Sequence, residues 1–147
     1  MGKIGKDFKF KIIKNFLNKE EIKLLSIYFE IKHRTNIENF DYGSTNLGDT
    51  GYYGDPIIDS LMLSKQKLIE KEIDKKLLAT YSFWRCYTKF ATLAKHKDRE
   101  ACEISVSVSV SGDKEWPIFM DDQSIVLKPG DAVVYLGCEI EHKREEY

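Results

Sequence analysis

Three side chains in this sequence have the types and the spacing of a metal site. His96 and Asp98 are separated by one residue, and His142 lies near the C-terminal end. Residues i and i+2 of a strand lie on the same face with Cα atoms roughly 7 Å apart, so the first two side chains can converge on one ion. Two imidazoles and one carboxylate on one side of a metal leave positions open on the other side. Non-haem Fe(II) centres that bind a co-substrate and oxygen use this ligand set.

Other interpretations of these residues remain open. With 32% charged residues, a His-x-Asp pair arises easily by chance and then stands as a solvated surface pair. Two histidines and a carboxylate also form catalytic zinc sites, although the HExxH helix motif typical of many zinc enzymes is missing. The metal interpretation is favoured because the pair directly precedes a strong strand pattern and because His142 closes a series of β segments.

The strand pattern that follows the pair alternates strictly between serine and aliphatic residues. Ile104, Val106, Val108 and Val110 share one face of the predicted strand, and the intervening serines share the other. This alternation is typical of a half-buried strand. From Tyr81 onward the sequence predicts seven such segments, with turns between them. They cover residues 81–90, a short stretch near His96, and residues 102–111, 116–120, 124–127, 132–136 and 139–144.

The N-terminal half has a different pattern. Residues 8–16 predict an opening strand, and Asn18 with Glu21 predicts a capping box for a helix that ends near Ile31. Residues 33–56 lack periodicity and predict a long loop, in which Tyr52 and Tyr53 could line a cleft. An apolar stripe from Pro56 to residue 77 predicts a second helix. Helices therefore come first and strands follow, which is an α+β order.

Composition narrows the class of protein. A chain of 147 residues has the size of one domain, and its net charge of −1 indicates no obligatory nucleic-acid or membrane partner. Three cysteines without a CxxC pair argue against a disulfide framework and favour a reduced, cytoplasmic setting. Lysines interrupt the N-terminal segment, which therefore lacks the apolar run of a signal peptide.

The C-terminal half resembles the Fe(II)- and 2-oxoglutarate-dependent dioxygenases of the prolyl-hydroxylase-like branch. The resemblance rests on an ordered series of motifs over roughly residues 80 to 146: YSFWRCYTKFATLAKHKDREACEISVSVSV, then WPIF, then LKPGDAVVYLGCEIEHKRE. It implies a single domain over residues 1–147, with helical support to about residue 79 and a double-stranded β-helix (jelly-roll) core from about residue 80. It also implies His96, Asp98 and His142 as the catalytic iron ligands.

The resemblance further implies the cofactors and the reaction. Fe(II) is the metal and 2-oxoglutarate the co-substrate, with ascorbate as a further candidate cofactor. Succinate and CO2 are the co-products when a substrate C–H bond is hydroxylated. The substrate is an unidentified small molecule or protein; prolyl residues, a free amino acid and a nucleobase all remain open, because specificity resides in loops.

Three side chains are candidates for holding 2-oxoglutarate. Its far carboxylate needs a cation once it is buried, and a bidentate arginine suits it best. Arg144 lies two residues after His142, hence on the same strand face, and is the first candidate. Tyr87 occupies a position where such relatives often offer a hydroxyl, and Arg85 shares its face. A surface ion pair is an equally good interpretation of Arg85.

The sequence departs from that family in one respect. The family core has eight strands, and we expect the last one, which follows the distal histidine, to be missing here. An open barrel edge of this kind invites pairing with another chain, so an oligomer is one expectation. The alternative function is a catalytically inactive or truncated jelly-roll binding module. A zinc hydrolase is a third possibility.

Overall fold

The computed structural model describes residues 8–35 and 49–147. Two helices, α1 (Lys19–Thr35) and α2 (Pro56–Ile73), accompany nine short strands and one 3-10 turn at Glu100–Cys102. The strands are β1 (Phe10–Ile13), β2 (Thr50–Tyr53), β3 (Phe83–Cys86), β4 (Leu93–His96), β5 (Ile104–Val108), β6 (Ile118–Met120), β7 (Gln123–Ile125), β8 (Ala132–Leu136) and β9 (His142–Arg144). Neither described helix is long and apolar enough to cross a bilayer.

Helix α1 begins with the predicted capping box. The side chain of Asn18 accepts a hydrogen bond from the Glu21 amide at 2.8 Å, and the Glu21 carboxylate accepts one from the Asn18 amide at the same distance. The prediction that this helix ends near Ile31 is wrong. It continues to Thr35. Lys32, His33 and Arg34 lie in the last turn, where basic side chains interact favourably with the negative end of the helix dipole.

Helix α2 is delimited at both ends by aspartates. Asp55 caps the N-terminus through a 3.0 Å bond from the Ile57 amide, and Pro56 occupies the first turn, where its missing N–H costs nothing. Asp74 adopts a left-handed conformation, with φ of 52°, and ends the helix. The apolar stripe predicted the helix as far as residue 77, so that prediction overshoots the observed end.

The strands form three sheets in which every described pairing is antiparallel. The first has the order β1-β8-β5, the second β2-β3, and the third β4-β9-β6-β7. The predicted loop at 33–56 is wrong at both ends, because helix α1 reaches Thr35 and strand β2 begins at Thr50. Residues 36–48 lie outside the described residues. The other predicted strands are present: the one at 132–136 has the predicted bounds, the short one near His96 is β4, and the rest are shorter than predicted.

Strand β8 separates two apolar clusters. Its residues from Ala132 to Tyr135 are at most 4% exposed. Ala132 and Val134 pack toward the two helices, whereas Val133 and Tyr135 pack against the third sheet. Because neighbouring residues of a strand point to opposite faces, one five-residue strand supplies both clusters. The side chain of Tyr135 therefore points into the space between the sheets.

Two strands that line the same cavity have only one neighbour each among the described strands. Strand β5 pairs with β8 alone, and β3 pairs with β2 alone. Both line a cavity of about 1590 Å³, and every residue of β5 stays partly exposed. That the core lacks its last strand, after His142, stays a prediction.

Candidate metal centre

Strands β4 and β9 bring the two histidines of the predicted site together. They pair antiparallel, and His96, the last residue of β4, lies directly opposite His142, the first residue of β9. Residues opposite each other in an antiparallel pair have their side chains on the same face. The two imidazole ring centroids are 4.2 Å apart. Asp98 follows β4 in the connecting loop and reaches the same point.

The three side chains converge on one point and lie close enough together to bind a single ion. Oδ1 of Asp98 lies 3.6 Å from Nε2 of His96 and 3.5 Å from Nε2 of His142. One potential ligand atom from each residue lies within 4.8 Å of the others. The structure therefore brings together the three residues predicted as iron ligands.

The backbone and a serine fix the carboxylate of Asp98. The Asp98 amide donates to the Gly137 carbonyl at 2.8 Å, and the Ser105 hydroxyl donates to Oδ2 at 2.7 Å. One carboxylate oxygen is thus held by Ser105, and the other faces the histidines. Neither Gly137 nor Ser105 was singled out from the sequence. The serine-aliphatic alternation was the available signal, since it placed a row of small polar residues beside the metal pair.

Each histidine is oriented by a backbone carbonyl. Nδ1 of His96 is 2.7 Å from the Ala94 carbonyl, and Nδ1 of His142 is 3.2 Å from that of Ile140. A carbonyl only accepts hydrogen bonds, so Nδ1 carries the proton and the lone pair of Nε2 is left for the shared point. Metal-binding histidines in proteins are held in this way. The donor set and its orientation therefore fit a divalent transition metal.

The electrostatics favour a cation at this point. Burial raises the pKa of Asp98, but its interactions with His142, His96 and Ser105 outweigh it and hold that pKa well below its ordinary value. The same carboxylate raises the pKa of His96. The His142 side chain is 4% exposed and that of His96 is 40% exposed. The site thus has a buried wall and an accessible side.

The predicted co-substrate residues lie around the same cavity. Arg144, Tyr87 and Arg85 line it together with His96 and His142. Arg85 donates to the Tyr87 hydroxyl at 3.1 Å, which gives it a partner inside the cavity. Burial lowers the pKa of the Arg144 guanidinium, as expected for a cation withdrawn from water.

Trp116 holds Arg144 in its present position and was not predicted as a site residue. The guanidinium donates to the Trp116 carbonyl at 2.7 Å and stacks over the indole with 4.6 Å between its central carbon and the ring centroid. The same indole meets the Tyr87 ring edge-on at 4.7 Å. The sequence indicated Trp116 only as the start of a core strand, whereas strand β6 begins two residues later, at Ile118.

Tyr135 is a further residue near the site that the sequence did not indicate. It belongs to an apolar run, AVVYL, which identifies a buried strand but not a polar role for its one hydroxyl. That hydroxyl lies 3.5 Å from Nε2 of His142. Burial, together with the Asp98 carboxylate, raises the pKa of Tyr135, so the phenol keeps its proton.

Solved structures with a similar fold are known, but sequence comparison identifies no family for this chain. No family model matches the chain, and no curated protein matches it in sequence. Among solved structures, a prolyl-4-hydroxylase from Pseudomonas putida superposes with a TM-score of 0.71 at 14% identity, and OsALKBH1 with 0.66 at 12% identity. Each match covers 95% of this chain and 86% of the other. At these identities the likeness establishes the fold alone.

Proposed function

We propose that this protein is an Fe(II)- and 2-oxoglutarate-dependent dioxygenase that hydroxylates a C–H bond, with succinate and CO2 as co-products. The observation that carries the proposal is the convergence of His96, Asp98 and His142 on one point at the side of a large cavity. The fold likeness to a prolyl-4-hydroxylase supports it. In this proposal the antiparallel strands form a jelly-roll core that lacks its last strand.

The three ligands would leave one side of the metal open to the cavity. Fe(II), when bound, supplies the oxygen activation and the oxidative decarboxylation that protein side chains cannot perform. The chain supplies geometry: the carbonyls of Ala94 and Ile140 fix the histidine tautomers, and Ser105 fixes the carboxylate. The buried wall formed around His142 limits access of water from behind, whereas the cavity admits the substrate.

The co-substrate would be held by cations already in the cavity. Arg144 follows the metal ligand His142 on the same strand face and is withdrawn from water, so an anion would relieve its burial cost. Its bond to the Trp116 carbonyl uses one of the five guanidinium N–H donors, so the remaining donors can bind a carboxylate through two of the nitrogens. Arg85 and Tyr87 are already paired and would present a second cationic and hydroxyl surface.

Turnover of 2-oxoglutarate without an added substrate tests this proposal. We expect succinate formation that requires both Fe(II) and oxygen and that is lost in Asp98→Ala and His142→Ala. His33→Ala is the matched control, because His33 contacts Thr50 at 2.7 Å and lies in helix α1. Succinate production that persists in both ligand variants would overturn the proposal. Activity that is restored by zinc and needs no oxygen would indicate a hydrolase instead.

A second candidate function is a binding module without turnover. It is favoured by strands β3 and β5, each of which has a single partner among the described strands, and by the engagement of Arg144 with Trp116. This candidate predicts that the protein folds but forms no succinate, and that Asp98→Ala changes no binding property. Fe(II)-dependent succinate formation by the wild-type protein would exclude it.

A further inference from the structure

The interior face of strands β5 and β8 places one phenol beside the metal ligands. Ser105 lies directly opposite Tyr135 in the register of the two strands, so their side chains share a face. The small serine leaves room for the tyrosine ring to extend toward Asp98 and His142. Tyr135 is 4% exposed and meets the His142 ring edge-on, with 4.9 Å between centroids.

The Tyr135 oxygen is as close to His142 as the predicted carboxylate ligand is. Both Oδ1 of Asp98 and the phenol oxygen lie 3.5 Å from Nε2 of His142. The phenol oxygen therefore borders the same point as Oδ1 of Asp98 and Nε2 of His142, so a ligand held at that point would be within its reach.

The chemistry of the phenol fits hydrogen-bond donation to such a ligand. Its polar neighbours besides His142 are the Asp98 carboxylate, which accepts a hydrogen bond from it, and the Ser105 and Ser107 hydroxyls. An anionic oxygen bound to the metal would be an acceptor comparable with the Asp98 carboxylate and stronger than the serine hydroxyls, since hydrogen bonds to charged oxygens are about twice as strong as neutral ones. A phenol that instead became a fourth protein ligand would leave too few open positions for a bidentate co-substrate and oxygen.

We propose that Tyr135 is a positioning residue that donates a hydrogen bond to an anionic oxygen ligand bound to the metal beside His142. This inference rests on the proposed metal site. It assigns to Tyr135 a preference for anionic, oxygen-donating ligands, of which a chelating carboxylate is the simplest. Removing the hydroxyl should weaken the binding of that ligand and leave the binding of the metal itself nearly unchanged.

The test uses Co(II) as the metal and oxalate as the probe, so that it does not depend on 2-oxoglutarate turnover. Visible absorption of Co(II) follows both binding steps in the 147-residue chain. In Tyr135→Phe we expect Co(II) affinity within about twofold of wild type and oxalate affinity reduced by roughly tenfold or more, the range for a hydrogen bond to a charged group. Tyr53→Phe is the matched control, since it removes a hydroxyl from a side chain that is 61% exposed.

The outcomes separate this inference from the proposed function. Equal oxalate affinity in wild type and Tyr135→Phe would overturn the role of Tyr135 while leaving the metal site intact. Loss of Co(II) binding in Tyr135→Phe, with the fold preserved by circular dichroism, would also overturn it, because Tyr135 would then act as a ligand. A wild-type protein that binds no Co(II) would overturn the proposed function and this inference together.

Discussion

Replacing Gly137 with alanine should damage the proposed metal site by direct steric contact. A Cβ atom at this position would lie 2.3 Å from the Cys102 carbonyl oxygen, 2.5 Å from the Ser105 hydroxyl and 2.7 Å from Oδ2 of Asp98. Ordinary contacts of this kind begin at 3.4 Å, so the Asp98 carboxylate would have to move by about 0.7 Å, and the backbone oxygen by more. We infer that the substitution displaces the carboxylate from the histidines.

Two magnitudes follow from that displacement. Overpacking of a tight contact costs about 1–3 kcal/mol of the free energy of unfolding. Disturbing a group that orients a metal ligand costs about 10- to 100-fold in metal affinity. We therefore expect Gly137→Ala to lower the urea midpoint moderately and to weaken Co(II) or Fe(II) binding by at least tenfold. Equilibrium urea unfolding and anaerobic metal titration measure the two effects separately.

Gly112→Ala is the matched control for this experiment. The same methyl group at that position would meet only the Lys114 carbonyl oxygen, at an ordinary 3.5 Å. We expect unchanged stability and unchanged metal affinity in this variant. If Gly137→Ala bound metal as tightly as Gly112→Ala, the close approach of Gly137 to Asp98 would not matter for the site, and the reasoning would fail.

Two further predictions concern stability away from the metal. Asp55 is 1% exposed and accepts hydrogen bonds from the Trp84 indole at 3.1 Å and from the Ile57 amide in the first turn of helix α2. Asp55→Ala should therefore lower the free energy of unfolding, measured in urea, by about 3 kcal/mol. A loss below about 1 kcal/mol would contradict the role of these hydrogen bonds. Burial raises the pKa of Asp131, but the ion pair with Lys14 at 2.7 Å and backbone hydrogen bonds outweigh it and lower that pKa below its usual value near 3.8. Because the pKa of Asp131 is lower in the folded state than in the unfolded state, its ionised carboxylate stabilises the protein at pH values above the unfolded-state pKa. This contribution is lost as the pH falls below about 4. Lys14→Met should therefore make urea stability fall less between pH 5 and pH 3; an unchanged fall would count against the ion pair.

The sequence predicted the metal cluster because its residues carry the chemistry themselves. The His-x-Asp spacing, the late histidine and the resemblance of the surrounding motifs together named His96, Asp98 and His142, and the structure places these residues together. The sequence also predicted the capping box of helix α1, because its two hydrogen bonds join residues only three positions apart. Local patterns of this kind depend on few neighbours, so tertiary structure rarely changes them.

The rest of the site depends on contacts between distant segments. Gly137 affects the site only through its close contacts with Cys102 and Asp98. No sequence pattern near Gly137 predicts those contacts. Tyr135 looks like one more core residue until the strand register places it opposite Ser105. Strand β2 was missed because its pairing partner, β3, lies about 30 residues further along the chain and its sequence, TGYY, is short and rich in turn-forming neighbours.

Equilibrium binding of Fe(II) under anaerobic conditions tests the central claim most directly. The claim is that His96, Asp98 and His142 together hold one divalent metal. The account predicts one Fe(II) per chain in the wild-type protein and in His33→Ala, and binding weakened by at least 100-fold in His142→Ala and in Asp98→Ala. Wild-type protein that binds no Fe(II), or His142→Ala that binds it as tightly as His33→Ala does, would contradict the account.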